Sequence, residues 1–298
     1  MESGGGDGAT LLAGLIGRGI QGSRSPSLHM QEAAAQGVTL DYVLFDLDAD
    51  PWRHATLAQA LEAAERDGFA GVNVTYPFKQ DVIGLLHDLS PDAQRLGAVN
   101  TVVFLDGRRV GHNTDWAGFA ESFRRGLPGV PRRQVVQLGA GGAGSAVAYA
   151  LLEEGVGRLV LFDIDRVRAQ AVVARLGTLF GAGSAVVAGD LAAAVGEACG
   201  IVNASPVGMT KHPGMPVPPD LLRPDLWVAD VVYVPLDTEL LIAARAAGCR
   251  TLDGGGMTVF QAADAFRLFT GLEPDADRMR AAFLHSVAEG APGPVDVT

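Results

Sequence analysis

A run of 19 residues without a charged side chain, 134–152, constrains the fold of this chain more than any other segment. Its sequence, QVVQLGAGGAGSAVAYALL, is long enough to cross a membrane as a helix. Glycines fill its centre, however, where a membrane helix would carry leucine and isoleucine. A short buried strand, a glycine turn and a buried helix explain the same residues better. We therefore expect a strand–turn–helix unit here and no membrane partner.

The glycine turn carries a nucleotide-binding pattern. Residues 139–144, GAGGAG, match G-x-G-x-x-G directly after the predicted strand and at the start of the predicted helix, as this motif requires. The first glycine permits a tight turn, the second lets the backbone approach a pyrophosphate, and the third lets the helix pack on the strand. The residues predicted to form this site are Gly139, Ala140, Gly141, Gly142, Ala143 and Gly144. A glycine turn without a ligand is the alternative, but the context favours a dinucleotide site.

Strand and helix signals alternate along the chain, and in its second half their spacing implies a parallel sheet covered on both faces. Because the glycine motif begins at residue 139, a complete domain precedes it, and part of the chemistry should come from that domain. The predicted fold class is α/β with two domains, an N-terminal open α/β substrate domain and a Rossmann-type doubly wound parallel-sheet domain. The predicted divisions are a flexible tail at 1–10, a substrate-binding and catalytic domain at 11–117, a dinucleotide-binding domain at 118–255, and C-terminal helices at 256–298 that pack back on the substrate domain.

Charge and cysteine content exclude several classes of protein. Acidic residues outnumber basic ones 34 to 23, which disfavours nucleic-acid binding because that affinity comes mostly from basic side chains. The two cysteines, Cys199 and Cys249, are too few for a disulfide framework or a four-cysteine zinc site. The six histidines are scattered along the sequence, so we expect no metal site. The first residues, MESGGGDGAT, lack the basic and apolar regions of a signal peptide, which makes the cytoplasm the expected location.

Lysine is rare in this chain. Of 23 basic residues only Lys79 and Lys211 are lysines. This chain uses arginine at nearly every position that needs a positive charge. A lysine that occurs in such a chain is a candidate for a role that requires the loss of a proton, which arginine cannot perform. Lys211 lies in a loop rich in proline and glycine, so we expect it on the surface. Lys79 is the candidate for chemistry, with a solvated residue in the first turn of a helix predicted over 77–89 as the alternative.

Polar residues cluster at the ends of predicted strands in the first domain. They form the segments SRSP (23–26), NVTYPFK (73–79), AVNT (98–101) and NTD (113–115). In order and spacing, these motifs resemble those of the shikimate dehydrogenase family. The resemblance runs from about residue 11 to 285 and includes the GAGGAG turn and DGGGMTVFQAADAF at 253–266. Within the family, GHNTDWAGF, DIDRVRAQ, ADVVYVPLDTELL and DAFRLFTGLEPD look most like the NAD-dependent quinate/shikimate dehydrogenases.

The resemblance implies an activity and a set of roles. Family members move a hydride between a nicotinamide and a ring hydroxyl of shikimate. Lys79 matches the lysine that exchanges the hydroxyl proton, and Asp115 matches the aspartate that hydrogen-bonds that lysine and the hydroxyl. Asp115 as a simple helix N-cap is the alternative. The positions matched to substrate contacts are Ser23, Ser25, Thr75, Asn100, Tyr233 and Gln261. Ser25 is equally well explained as a helix cap, and it could serve in both ways.

On the cofactor side, the resemblance implies contacts near the nicotinamide from Asn203, Val231 and Gly254. Biosynthetic members follow the second strand of this domain with Asn-Arg-Thr, whose arginine binds the 2′-phosphate of NADP. This chain has Asp163-Ile164-Asp165 instead. A carboxylate at this place accepts hydrogen bonds from the adenosine ribose and repels a 2′-phosphate, so NAD is the predicted cofactor. Arg166 or Arg168 could instead neutralise the phosphate.

Other functions stay open at this point. An aminoshikimate or aminoquinate dehydrogenase, or an NADP-dependent biosynthetic shikimate dehydrogenase, would share these motifs. A redox sensor that binds a dinucleotide without turnover is the alternative from a different class. The predicted partner is a small molecule, shikimate or quinate, and the predicted state is a monomer or homodimer.

Overall fold

The computed structural model of the chain describes residues 10–288. The predicted tail at 1–10, apart from Thr10, and residues 289–298 of the predicted C-terminal segment lie outside this range. Between residues 10 and 288, the helices are all too short or too polar to span a membrane.

Strands and helices alternate through most of the described chain. The strands are β1 Leu11–Gly17, β2 Leu40–Asp46, β3 Gly71–Val74, β4 Asp88–Leu89, β5 Thr101–Leu105, β6 Arg108–His112, β7 Gln134–Leu138, β8 Arg158–Phe162, β9 Ala185–Val187, β10 Gly200–Asn203, β11 Trp227–Asp230 and β12 Arg250–Leu252. The α-helices are α1 Ser25–Ala35, α2 Leu57–Arg66, α3 Pro91–Leu96, α4 Asp115–Gly126, α5 Gly142–Glu153, α6 Arg166–Phe180, α7 Leu191–Glu197, α8 Glu239–Ala246, α9 Gly255–Thr270 and α10 Ala276–Ala288.

The chain forms two compact units. The first comprises the described residues up to Thr114 together with those from Ala262 onward, and the second comprises Asp115–Gln261. In the first unit, α10 is attached to α1 by a bidentate ion pair, in which Arg278 Nη2 and Nε lie 2.6 and 2.8 Å from the carboxylate oxygens of Glu32. The segment after Ala262 therefore belongs to the same body as the N-terminal strands.

The first unit contains a mixed sheet with the strand order β2-β1-β3-β5-β6-β4. Strands β2, β1 and β3 are parallel, whereas β5 is antiparallel to both β3 and β6. The Asp106-Gly107 pair, between the strand-like runs AVNTVVFL and RRVGHN, predicts a β-hairpin, and this prediction is confirmed. Both residues have positive φ angles, 50° and 72°, as a two-residue turn of this type needs.

The helix predicted over 77–89 is wrong. A turn is followed there by a 3₁₀ helix, Asp81–Leu85, and then by β4. Short-range bonds such as that from Val82 N–H to Phe78 O at 3.0 Å are mixed with bonds to other parts of the chain, as Val99 N–H donates to Lys79 O at 2.7 Å and His87 N–H donates to Arg109 O at 3.0 Å. Pairing with the sheet thus replaces the helical bonds that the apolar pattern suggested.

The second unit contains a parallel sheet with the order β12-β11-β10-β7-β8-β9. Numbered within this unit, the strands run 6-5-4-1-2-3, which is the doubly wound arrangement predicted from the sequence. The order in which successive strands are added to the sheet reverses between β7 and β10, and in such sheets ligands bind beyond the carboxyl ends of the strands at that point. The α/β fold class is confirmed.

His29 lies fully buried in the core of the first unit. Its ring stacks on Tyr42 with a centroid distance of 4.8 Å, and Phe266 and Phe269 pack nearby. Neither ring nitrogen has a hydrogen-bond partner within residues 10–288. Burial lowers the pKa of His29 to about 3, because the core cannot solvate an imidazolium.

We expect His29→Phe to make the protein more tolerant of acid. As pH falls below 6.5, the unfolded wild-type chain binds a proton at this position that the folded protein does not. The free energy of unfolding should therefore drop by up to about 1.4 kcal/mol per pH unit down to a pH near 3. Urea unfolding of wild type and variant between pH 7 and 4 measures the difference. The exposed His54 gives the control, His54→Phe, and equal pH slopes for wild type and His29→Phe would contradict the assignment.

Candidate active site

A chain of buried hydrogen bonds crosses the first unit at the ends of its strands. The Tyr42 hydroxyl donates to Asn73 Oδ1 at 2.7 Å, and it is also hydrogen-bonded to the side chain of Ser25. Asn73 Nδ2 donates to Thr101 Oγ1 at 2.9 Å, and the Thr101 hydroxyl donates to Asn100 Oδ1 at 3.1 Å. Burial raises the pKa of Tyr42, so the phenol stays protonated and acts as a donor. The structure thus joins Ser25 to Asn100 through Tyr42, Asn73 and Thr101, of which Tyr42 lies outside the polar motifs of the sequence.

Asn100 fixes the backbone just before Asp115. Its Oδ1 accepts the Thr114 N–H at 2.7 Å, and its Nδ2 donates to Thr114 Oγ1 at 2.9 Å. Asn113 is held in turn by a 3.0 Å bond from its Nδ2 to Ala98 O. Asp115 then begins α4 and is buried. Asn100 was predicted as a substrate contact, and the structure shows it holding the segment that carries Asp115.

The two serines of the SRSP segment lie at the start of α1, and both are half-buried. The Ser25 N–H donates to Ser23 Oγ at 3.2 Å, and the two hydroxyl oxygens are 3.3 Å apart. Ser25 is therefore the first residue of the helix and not its N-cap, a position that Arg24 occupies without a side-chain bond. The two hydroxyls form one polar pair.

Asp46 organises the loop that leads to these serines. Its buried carboxylate accepts N–H groups from Gly19 at 2.9 Å, Ile20 at 3.1 Å and Asp48 at 3.1 Å, and also the Gln21 side chain at 3.0 Å. Burial acts to raise the pKa of Asp46, but these four hydrogen bonds outweigh it and hold that pKa below its usual value. The carboxylate at the end of β2 thus shapes the turn before Ser23.

Lys79 and Thr75 lie in the turn that follows β3, and both are half-buried. The Thr75 N–H donates to Ile16 O at 3.0 Å, and the Thr75 carbonyl accepts the Phe78 N–H at 2.9 Å. Lys79 is anchored through its own carbonyl by Val99. The backbone that presents the Lys79 side chain is therefore tied to the segment before β5 by a main-chain bond.

The glycine turn in the second unit has the geometry that the sequence predicted. Gly139 has a φ of +97°, and a Cβ atom there would lie 2.5 Å from Ala204 O. A Cβ at Gly144 would lie 2.4 Å from Gly139 O, whereas a Cβ at Gly141 would point into open space. The turn ends at the first residue of α5, Gly142, whose first-turn N–H groups have no partners within the helix. The residues fit a pyrophosphate, which needs an open backbone at this helix end.

Asp163 connects the end of β8 to this turn. Its Oδ2 accepts the Ala140 N–H at 2.7 Å, and its Oδ1 accepts the Asp165 N–H at 2.8 Å and Arg168 Nη2 at 2.7 Å. Burial acts to raise the pKa of Asp163, but the bonds from Arg168 and the two N–H groups lower it by more than burial raises it. The group is therefore held as a carboxylate. Asp165 is the N-cap of α6, where it accepts the Arg168 N–H.

The ends of β10 and β11 are held together by a second buried network. Asn203 Nδ2 donates to Asp230 Oδ1 at 2.9 Å and to Val207 O at 2.8 Å, and Asn203 Oδ1 accepts the Ser205 hydroxyl at 2.6 Å. Asp230 also accepts the Val232 N–H at 3.0 Å and the Thr238 hydroxyl at 2.8 Å. Since the Asn203 side chain is fully buried and its polar atoms are used in this way, it shapes the loops that follow both strands.

The remaining predicted residues lie in later segments of the second unit. Val231 directly follows Asp230, and its carbonyl lies so close to Gly254 that a Cβ there would approach it to 2.3 Å. Tyr233 is half-buried in the same loop as Val231. Gln261 lies in α9, where its Nε2 donates to Thr258 O at 3.0 Å and its backbone packs against Gly118 of α4.

Asp230 gives a prediction with a pH dependence. Burial raises its pKa to about 6, although the bonds from Val232, Thr238 and Asn203 oppose that rise. A carboxyl with a raised pKa stabilises the folded state at low pH, and this stabilisation is lost as pH rises through 6. In Asp230→Asn, the amide oxygen can keep two donors while the amide nitrogen donates to Thr238. As pH rises from 4 to 6, the free energy of unfolding of the variant relative to that of wild type should increase by up to about 1.4 kcal/mol per pH unit.

Denaturant unfolding across this pH range tests that expectation. Asp237→Asn, at an exposed position in the same loop, provides the control for changing one carboxylate. A constant difference between wild type and Asp230→Asn from pH 4 to 7 would show that Asp230 does not titrate there.

Comparison with known proteins places the chain in a family. Residues 15–102 match the shikimate dehydrogenase substrate binding domain, and residues 254–282 match the shikimate 5′-dehydrogenase C-terminal domain. A shikimate dehydrogenase (NADP(+)) from Streptomyces avermitilis is 56% identical over 91% of this chain and 94% of its own length. A quinate/shikimate dehydrogenase (NAD(+)) from Corynebacterium efficiens is 49% identical over 92% of this chain and 98% of its own. The chain belongs to the shikimate dehydrogenase family.

A solved structure extends the comparison to the fold. Quinate dehydrogenase from Corynebacterium glutamicum in complex with NAD matches with a TM-score of 0.90 and 47% identity, over 93% of this chain and 99% of that chain. Membership of the shikimate dehydrogenase family, expected from the SRSP, NVTYPFK, AVNT and NTD motifs, is confirmed.

Sequence analysis missed several residues that shape these sites, among them Tyr42, Asp46 and Asp230. Asp46 and Asp230 each end a strand in the structure, but the strand pattern in the sequence continues past both residues, through 48 and through 233, so it did not mark them as strand ends. Tyr42 carried no signal either, since an aromatic residue in a strand is ordinarily part of the core.

Proposed function

We propose that this protein is an NAD-dependent quinate/shikimate dehydrogenase that transfers a hydride between NAD and a ring hydroxyl of shikimate or quinate. The observation that carries the cofactor assignment is the Asp163 carboxylate, held at the end of β8 and bonded to the glycine turn through Ala140. Support for the reaction comes from the Corynebacterium efficiens relative, whose name gives both substrates and NAD. Cytoplasmic location and a monomeric or homodimeric state belong to the same proposal.

The residues present fit a dinucleotide. Gly141 and the first turn of α5 would hold the pyrophosphate, and Asp163 would face the adenosine ribose, with Arg168 beside it. The other residues of the turn, together with Asp165, would set its shape. When bound, NAD supplies the carbon that accepts or returns the hydride. Val231 and Gly254 would border its nicotinamide end, with Asn203 fixing the loops there.

We assign the proton of the reacting hydroxyl to Lys79. Oxidation of a secondary alcohol to a ketone releases a hydride and a proton, and the proton needs a base. A lysine can serve because its ammonium loses a proton more readily than a guanidinium does. Asp115 assists as a carboxylate at the start of α4, where the bonds from Asn100 to Thr114 hold the preceding backbone. Those bonds give Asp115 a defined position.

The substrate contacts in the first unit are hydroxyl groups. Ser23 and Ser25 form a pair of hydroxyls suited to the carboxylate of shikimate or quinate, and Thr75 offers a third near Lys79 in the chain. Tyr42 would keep Ser25 in place through their hydrogen bond. Tyr233 and Gln261 are assigned to the substrate on the family resemblance alone, as is any direct contact from Asn100.

NADP is the second candidate cofactor. The Streptomyces avermitilis relative is named for NADP at 56% identity, and Arg166 is exposed, with no ion pair inside the described range. The carboxylates of Asp163 and Asp165 argue against NADP, because they would repel the negatively charged 2′-phosphate. Arg168, the other cation in this segment, is already bonded to Asp163.

Initial-rate measurements test the proposal. The purified protein is assayed with quinate, shikimate and their amino analogues, each with NAD and with NADP. We expect NAD-dependent oxidation of both quinate and shikimate. Turnover of an amino analogue alone would favour the aminoshikimate or aminoquinate dehydrogenase. NAD binding by calorimetry without turnover of any of these compounds would favour a redox sensor.

A further inference from the structure

Gln137 is the last residue but one of β7, close to the glycine turn that follows this strand, and has no exposed surface. Its Nε2 donates to Gly139 O and to Gly144 O, both at 2.8 Å. The two N–H groups of a single amide therefore bind the first and the last residue of the GAGGAG turn. A fully buried polar side chain within a parallel strand is unusual, because such strands are ordinarily apolar throughout.

The orientation of this amide follows from its partners. Both neighbours of Nε2 are carbonyl oxygens, so a reversed amide would place oxygen against oxygen. The other atom, Oε1, is buried with no hydrogen-bond partner in the part of the chain described. A buried acceptor without a partner destabilises a folded protein. Stability of the fold therefore does not explain the residue well.

We propose that Gln137 is a positioning residue for dinucleotide binding, which it assists by holding the two ends of the glycine turn at a fixed separation. The inference rests on the proposed function. A Cβ at Gly144 would come within 2.4 Å of Gly139 O, so the two ends of the turn are already in contact. The Gln137 amide donates a hydrogen bond to each of these ends. The turn then presents the N–H groups of Gly142 and Ala143 in one arrangement, and a pyrophosphate binds without first ordering them.

The test replaces the amide by an apolar side chain of similar length, in Gln137→Met, with Gln137→Leu as a second variant. We expect the Kd for NAD to rise about tenfold in both, the size expected for losing neutral hydrogen bonds that order a loop. The KM for shikimate and kcat at saturating NAD should stay within about twofold of wild type. Gln134→Met is the matched control, because Gln134 lies on the same strand, is also buried, and does not contact the turn.

A second readout separates positioning from general loosening. The inhibition constant of ADP-ribose, which contains the pyrophosphate, should rise about tenfold in the Gln137 variants, whereas that of adenosine should not change. An unchanged Kd for NAD in a folded Gln137 variant would overturn the inference, as would equal weakening of ADP-ribose and adenosine, or an equal loss in Gln134→Met. If wild type binds neither NAD nor NADP, the proposed function fails and the inference fails with it.

Discussion

Lys79→Ala should lower kcat by at least about 100-fold, the lower end of what is lost with a general acid or base. The KM for shikimate or quinate should change much less, because the hydroxyls of Ser23, Ser25 and Thr75 remain. The turn should keep the bond from Val99 N–H to Lys79 O, because that bond joins main-chain atoms that the substitution leaves in place. Steady-state kinetics with saturating NAD, together with the far-UV circular dichroism of the variant, measure both effects.

Lys79→Arg should fail as well, because it keeps the positive charge but cannot lose a proton near neutral pH. The chain supplies its own control in Lys211, the one other lysine in the sequence, which is exposed. Lys211→Ala should have wild-type kinetics. Near-normal turnover by Lys79→Arg would show that proton exchange at this position is not required, and the role of Lys79 would then be electrostatic.

We expect the wild-type protein to use NAD at least about tenfold more efficiently than NADP. A 2′-phosphate next to Asp163 and Asp165 would bring like charges together, at a cost of about 1–4 kcal/mol per pair, which corresponds to about 10- to 1,000-fold in affinity. Asp163 is the more important of the two, because its bonds to Ala140 and Arg168 hold it as a carboxylate beside the turn. The measurement is kcat/KM for both cofactors with saturating shikimate.

Asp163→Asn should shift the ratio of the two efficiencies towards NADP. The amide oxygen can still accept the Ala140 N–H, but the ion pair with Arg168 is lost and its guanidinium becomes available to a phosphate. Adding Arg168→Ala should then remove most of the gain for NADP, and Arg166→Ala measures the contribution of the other arginine. Equal use of NAD and NADP by the wild-type protein would show that the arginines outweigh the carboxylates.

Local sequence patterns were sufficient for much of the architecture. The alternation of apolar and polar segments identified nearly all the strands of the second unit, and the GAGGAG motif located its first turn, because both depend on residues close together in the chain. The error at 77–89 has the opposite origin. That segment has a proline start and a helical apolar pattern, yet its backbone bonds to Val99 and to β6, which come later in the sequence.

The sequence by itself determined the fold class, the nucleotide-binding turn and the family resemblance, since turn glycines, strand periodicity and motif spacing are properties of short stretches. Only the tertiary structure decided how Asn100 holds Thr114, how Asp163 holds Ala140 and how Asn203 meets Asp230. Each of these bonds joins residues 14 to 27 positions apart. Their partners are chosen by the order of the strands in the sheet and by the register between them, and neither is encoded in any one segment.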